Sequence, residues 1–296
     1  MTTPVAADRP KAPPARLPVS APTSKRERAA VAGSTILKLG KLKGDFQPPR
    51  IVLNAVEGWG KTSCAAFAPN PAILMAEGET GYETLLGAGL VPSVDAARVT
   101  GWQALLNLLD ELATADAPGT LAVDAISGFE RLCQDYTCER AYNGDRGPTG
   151  FENYQRGFET TVTDWLVMLG KLDRLQARGT TILLLGHVKV KPFKNPLGPD
   201  FDRWISDMHD KTWAVTHKWA DAILFGQFES VVEKDKPKDK KGKGIGGSDR
   251  VLYTTHHDAY DAKNRYGMPE VIDIPDDPSQ TWATIWNAIK HEGTQA

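Results

Sequence analysis

Cysteine is scarce in this 296-residue chain: Cys64, Cys133 and Cys138 form an odd set with no paired C-x-x-C spacing. A reduced, cytosolic setting is the expectation from such a set. Long apolar runs are missing too. None approaches the length of a membrane span, and the N-terminus lacks the apolar core of a signal peptide, so a cytoplasmic protein with no membrane partner is expected. Charge of one sign is also lacking. A net charge of −2 excludes a globally basic nucleic-acid binder and leaves any DNA or RNA contact to local patches. Residues 1–34 have almost no large apolar side chains and are rich in Pro, Ala and Ser with scattered Lys and Arg. They cannot bury enough surface to offset the entropy of ordering, and a disordered basic tail is expected there. That leaves 35–296 as one α/β domain, with an ordinary 41% hydrophobic and 24% charged content.

What is present centres on Ala55-Val56-Glu57-Gly58-Trp59-Gly60-Lys61-Thr62-Ser63. The apolar segment Ile51-Val52-Leu53 precedes it, and Cys64-Ala65-Ala66-Phe67 follows as the opening of a helix. Strand, glycine-bearing loop ending in Gly-Lys-Thr, then helix is the context of a phosphate-binding loop. Glycines permit positive φ, so successive amides turn inward around phosphate oxygens, and the helix that follows adds its unpaired N–H groups. Gly58, Trp59, Gly60, Lys61, Thr62 and Ser63 are therefore the candidate nucleotide-binding residues. Lys61 suits the β- and γ-phosphates of ATP, and the Thr62 hydroxyl suits Mg²⁺. Ala55 stands where the full G-x-x-x-x-G-K-[ST] pattern has glycine, and Trp59 is bulky for a loop tip.

Further along, Ala72–Ala76 reads as a buried strand ending at Glu77-Gly78-Glu79, and Ala97–Thr100 as an edge strand. Trp102–Leu112 has helical spacing, Leu121–Asp124 is a strand ending in a carboxylate, and Ile126–Tyr142 is helical. A polar loop from Asn143 to Phe151 leads to a long helix stopped by Gly179, and Thr181–Leu185 is an apolar strand followed by Gly186-His187. Continuous apolar strands alternating with helices predict a mostly parallel sheet covered on both faces, with antiparallel strands towards the C-terminus. Lys189–Asp210, with Pro192, Pro196 and Pro199, reads as a long loop. Asp221–Val232 and Arg250–Thr255 read as strands around a mobile Lys/Gly-rich insert at 234–248, and Tyr260–Ile274 as a hairpin or strand pair. Asp277-Pro278-Ser279-Gln280 is a helix start, leading to a closing helix with Trp282, Ile285, Trp286 and Ile289 on one side.

Five positions carry the candidate chemistry. Asp124, at a strand end, is placed to hold the Mg²⁺ shell opposite Thr62. Glu77 lies nearest the C-terminal end of its strand and is favoured as the base that activates water, with Glu79 competing for the role. His187, at the same sheet edge, either senses the γ-phosphate or is a satisfied strand-end histidine. Lys263 and Arg265, two apart on an extended segment, point to one side and suit a pair aimed at phosphates, although a solvated surface turn has the same look.

In this order Gly58-Trp59-Gly60-Lys61-Thr62, Ala76-Glu77, Leu121-Ala122-Val123-Asp124 and Gly186-His187 resemble a RecA-like ATPase core. Glu77 matches the position of its catalytic glutamate. Lys263-Asn264-Arg265-Tyr266-Gly267 is similar to the Lys-x-Arg-x-Gly element of DnaB-like helicases and bacterial RadA, whose Lys and Arg reach a neighbouring subunit's ATP site. The layout over about Arg50 to Ile274 is similar to small phage-encoded AAA-type ATP-binding proteins, the RecA-like ATPases of the single-strand-annealing (Sak) group. The resemblance implies a RecA-like P-loop NTPase fold and an ATP- and Mg²⁺-dependent ATPase in the cytoplasm of a phage host. It implies single-stranded DNA, further copies of the chain in a ring or filament, and a single-strand-binding protein as partners. Recombination, annealing or replication is the implied setting, with a nucleotide-gated loader or a helicase-like motor as alternatives. DNA would be gripped by 143–156 and by 189–211, where Lys189, Lys191, Phe193, Lys194, Arg203 and Trp204 mix cations with aromatics. A lid or interface loop is the other reading of that segment.

Overall fold

Period-two alternation along the strands decides the layering. Ile51, Leu53 and Ala55 of β1 (Arg50–Ala55) join one apolar cluster, while Val52 between them joins a second. The same division runs through β2 (Pro71–Ala76), β4 (Thr120–Asp124) and β5 (Thr181–Gly186), whose residues are nearly all buried. Strands buried on both faces need helices on both faces. In this computed structural model, which describes residues 44–196, 198–233 and 243–291, they have them. On one face lie α1 (Lys61–Ala66), α2 (Gly81–Gly87) and α7 (Thr281–Lys290). On the other lie α3 (Trp102–Thr114), α4 (Ile126–Tyr142), α5 (Arg156–Gln176) and α6 (Asp210–Trp219). By contacts the chain divides into Met1–Asp45 and Phe46–Ala296, and the fold described here is that of the second unit. The expected tail at 1–34 lies outside the described residues, as does 234–242 of the expected insert.

The sheet runs β11-β9-β8-β1-β5-β4-β2-β3, with β3 (Asp95–Val99) at one edge. Six strands from β8 (Ala222–Glu233) to β3 are mutually parallel. The sheet then continues antiparallel through β9 (Lys243–Tyr253) and β11 (Val271–Ile274), and the short β10 (Lys263–Asn264) also pairs with β8. A mostly parallel α/β core with added antiparallel strands is the architecture expected. The closing helix also starts as expected: Asp277 accepts the Ser279 amide at 2.9 Å, and Trp282, Ile285 and Ile289 are buried against the sheet. Among the described residues no helix is long and apolar enough to cross a membrane.

Three expectations need correction. Lys189–Asp210 is not a loop but the antiparallel hairpin β6 (Val188–Phe193) and β7 (Phe201–Ser206), a two-stranded sheet of its own that leads into α6. Residues 243–248, expected within the Lys/Gly-rich insert, belong to a strand, since β9 begins at Lys243. Tyr260–Ile274 does not pair with itself: β10 joins β8 and β11 joins β9, because each completes the edge of the existing sheet.

Candidate functional site

The C-terminal ends of β1, β5, β4 and β2, which are neighbours in the sheet, deliver one feature each to a single cleft of about 470 Å³. After β1 comes the loop 56–60, which runs into α1 at Lys61. Its turn uses Gly58 at φ 75° and Gly60 at φ 104°, positions that a side chain would strain. Ala55 has no such need. It is the last residue of β1, fully buried, and outside the positive-φ set, so the glycine missing from the motif leaves the loop intact. All six expected nucleotide-binding residues, from Gly58 to Ser63, line the cleft.

Trp59 is not a loop tip. It is fully buried, its indole Nε1 donates to the Val251 carbonyl at 3.3 Å, and it lies against Gly226 of β8. A Cβ added at Gly226 would come within 2.6 Å of Trp59 Cε2, so glycine there makes room for the indole. The tryptophan therefore pins the phosphate loop to the antiparallel extension of the sheet.

Thr62 donates its hydroxyl to Asp124 Oδ2 at 2.7 Å, joining the two residues expected to share a magnesium ion. Asp124 is almost wholly buried. Burial raises its proton affinity, and the Thr62 hydrogen bond and the Lys61 charge pull it back. Hard oxygen donors from a hydroxyl and a carboxylate, beside a phosphate loop, fit Mg²⁺. The Lys61 ammonium arches over the loop and donates to the carbonyls of Ala55 at 2.9 Å and Val56 at 3.2 Å. Burial lowers its pKa, against the fields of Asp124 and Glu57. At the N-terminus of α1 the first amides have no intrahelical acceptor, leaving them as donors at the floor of the cleft.

Glu79, not Glu77, is the carboxylate after β2 that lines the cleft. Glu77 is exposed and outside it, because Gly78 at φ 90° turns the chain between them. Burial first, then the neighbouring Asp124, pushes the Glu79 pKa up. His187 also lines the cleft, and its Nδ1 is buried without a hydrogen-bond partner.

The remaining expected residues are elsewhere. Lys263 and Arg265 do converge, but on the C-terminus of α6. Lys263 Nζ donates to the carbonyls of His217 and Ala220, each at 2.7 Å, and Arg265 Nη1 pairs with Asp221 at 3.0 Å. β10 meets β8 at Ala222 and Ile223, level with the start of β1, so the pair sits towards the opposite end of the sheet from the cleft. Of the six hairpin residues, Lys189, Lys191, Phe193 and Lys194 are exposed. Arg203 and Trp204 face inward: Arg203 is paired with Asp261 at 2.7 Å, and Trp204 packs against Phe225. Segment 143–156 is folded back on itself, with Phe151 buried and Asp145 bonding the Gly147 amide, though Tyr154 is exposed. Arg250, Asp276 and Pro278 complete the cleft wall and were not singled out from the sequence. They come from 190 and more residues beyond the loop, and no local pattern marks them.

The cleft can hold a polyphosphate, bind a divalent cation between Thr62 and Asp124, and present Glu79 as a base. No curated protein matches the chain. A family model described as an AAA domain matches residues 47–266, the span from β1 through β10 that carries the phosphate loop, Glu79, Asp124, His187 and Arg250, and the chain belongs to that family of P-loop ATPases.

Proposed function

We propose that the chain hydrolyses ATP and that its nucleotide cycle controls the grip of the β6–β7 hairpin on single-stranded DNA. The observation that carries this reading is continuity. His187 lines the phosphate cleft and is the residue directly before β6, so one strand end joins the cleft to the hairpin. The likeness of the motifs to the Sak-type phage ATPases, stated above, supports the same reading and a role in recombination, annealing or replication.

The residues divide the work as follows. Lys61 and the loop amides neutralise and orient the phosphates, fixing the terminal phosphoryl group for in-line attack. Thr62 and Asp124 hold Mg²⁺, which when bound supplies charge neutralisation at the phosphate oxygens. Glu79 accepts a proton from the attacking water, and its raised pKa brings it nearer to the proton affinity that a base needs at neutral pH. His187 responds to the terminal phosphate and moves the root of the hairpin. On the hairpin, Lys189, Lys191 and Lys194 meet the DNA backbone and Phe193 offers a face for a base. Arg265, half-exposed, and Lys263 complete the cleft of a neighbouring copy in a ring or filament.

ATP turnover with and without a single-stranded oligonucleotide tests the coupling. Stimulation is expected. Equal turnover in a protein shown to bind the oligonucleotide would refute it, and tight ATP binding with negligible turnover would favour a nucleotide-gated loader. For the trans contribution, Arg265→Ala subunits titrated into wild type are expected to poison the mixture. Strictly additive activity would remove Arg265 and Lys263 from the neighbour's site.

A further inference from the structure

Arg250 is a buried cation that faces the phosphate cleft and has no carboxylate within ion-pair distance among the described residues. Only 8% of it is exposed. Its Nη1 donates to the Trp59 carbonyl at 3.1 Å, and its Nη2 donates to the carbonyls of Pro275 and Asp276. The guanidinium carbon lies 5.8 Å from the centre of the Trp59 ring. A Cβ built on Gly60 would come within 2.8 Å of Nη1, so the charge sits directly beside the loop glycine that precedes Lys61.

Taking a guanidinium out of water is expensive, and here burial indeed works against its charge. Neutral carbonyls accept from Nη1 and Nη2, which leaves part of the fork free and does not cancel its charge. Two acidic residues, Asp276 and Asp277, act on it through space, while the hydrogen bonds it makes are to backbone. Buried arginine without a carboxylate is best complemented by an anion that arrives, and a planar fork beside a phosphate loop matches phosphate oxygens. Arg250 is also the arginine that lines this cleft, because Arg265 is bonded at the far end of β8.

We propose that Arg250 is a nucleotide-binding residue supplied in cis. Its guanidinium bonds the phosphate chain of the bound nucleotide from beside Trp59 and Gly60 of the loop. At the same time it ties the loop to Pro275 and Asp276, so that this segment and Pro278 form the wall along which the nucleoside lies. The proposal rests on the assignment of the cleft to ATP and deepens it.

The test uses the full chain with Arg250→Gln and Arg250→Lys, a fluorescent ATP analogue, and displacement by ATP, ADP and adenosine in Mg²⁺. Thermal melting of each variant is recorded alongside. A charge-assisted hydrogen bond lost at a buried site corresponds to roughly 10- to 100-fold in affinity. Arg250→Gln is expected to weaken ATP and ADP by that factor while adenosine displaces as from wild type. Arg250→Lys is expected to recover part of the loss, since it keeps the charge without the fork. If Arg250→Gln does not fold, Arg250→Lys alone carries the test, with weaker ATP and unchanged adenosine expected. Folded variants that bind ATP like wild type overturn the proposal. So does an equal loss for ATP, ADP and adenosine, which would make Arg250 only a strut for the loop. Wild type that fails to bind the analogue, or a Lys61→Ala control that binds it normally, would instead overturn the assignment of the cleft itself.

Discussion

Replacing each of the two carboxylates after β2 in turn separates position in the sequence from position in space. Glu77 lies nearer the strand end, but it is exposed and outside the cleft. Glu79 lines the cleft, where burial and then Asp124 raise its proton affinity. A positioned general base contributes about 10²- to 10⁴-fold to a proton-transfer step. Glu79→Gln keeps the shape and removes the base, so turnover should fall by about 100-fold or more. ATP affinity should hold or rise, because a negative charge beside the phosphates has gone. Glu77→Gln touches nothing in the cleft and should stay within about twofold of wild type. A coupled phosphate-release assay gives turnover, and calorimetric titration of Mg·ATP gives affinity on the same samples. The acid limb of the wild-type kcat/KM profile, which reports the protein before Mg·ATP binds, should also lie above the ordinary glutamate range, because the base must be ionised and burial raises its pKa. The reasoning is refuted if Glu79→Gln turns over like wild type, or if Glu77→Gln is as impaired as Glu79→Gln.

Four more outcomes follow from the packing and the surface. Trp59→Ala removes a fully buried indole that pins the loop to β9. A stability loss of about 3–5 kcal/mol is expected in chemical denaturation. Gly226→Ala drives a methyl group against the same ring, and thermal melting should show destabilisation of about 1–3 kcal/mol. On the hairpin, removing Lys189, Lys191 and Lys194 together should flatten the salt dependence of single-stranded DNA binding by about 2 in log–log slope, at about 0.7 per phosphate contact. An unchanged slope would take the hairpin out of the DNA site. Glu130 accepts from the His209 amide and from Thr212 at the start of α6, and burial pushes its pKa up to about 7. A carboxyl group raised on folding stabilises fully below its unfolded pKa, and that contribution fades as pH rises through the folded one. Stability should therefore fall between about pH 4.5 and 7 through this residue, and Glu130→Gln should flatten that dependence.

Those parts of the site that follow apolar strands were legible from sequence. β1, β4 and β5 are continuous hydrophobic runs, so the residues at their ends, Lys61, Thr62, Asp124 and His187, fell on one edge of a parallel sheet. Elements held by polar contacts were not. Helix α6 has no leucine or isoleucine stripe; it is fixed by Thr212 on Glu130, Thr216 bonded by the Trp165 indole at 2.8 Å, and Trp213 on Asp261 at 3.0 Å. The hairpin was hidden by its prolines. Pro192 sits in an exposed two-stranded ribbon, where an edge strand tolerates a missing donor. The choice between Glu77 and Glu79 falls the other way from the one favoured by sequence, because the turn at Gly78 sets which of two nearby carboxylates faces inward. Arg203 and Trp204 looked like DNA contacts by composition, yet partners distant in sequence, Asp261 and Phe225, take them inside. Arg250 could not be found at all without the register of β8 on β9, which sets it beside the loop.

The central claim is that the loop from Gly58 to Ser63, with Asp124 opposite, binds Mg·ATP. Calorimetric titration of Mg·ATP into wild type and Lys61→Ala tests it most directly. One site per chain is expected in wild type, with affinity reduced at least tenfold in Lys61→Ala, since the ammonium that meets the phosphates has been removed. Equal affinity in the two proteins, or no binding to wild type, would contradict it.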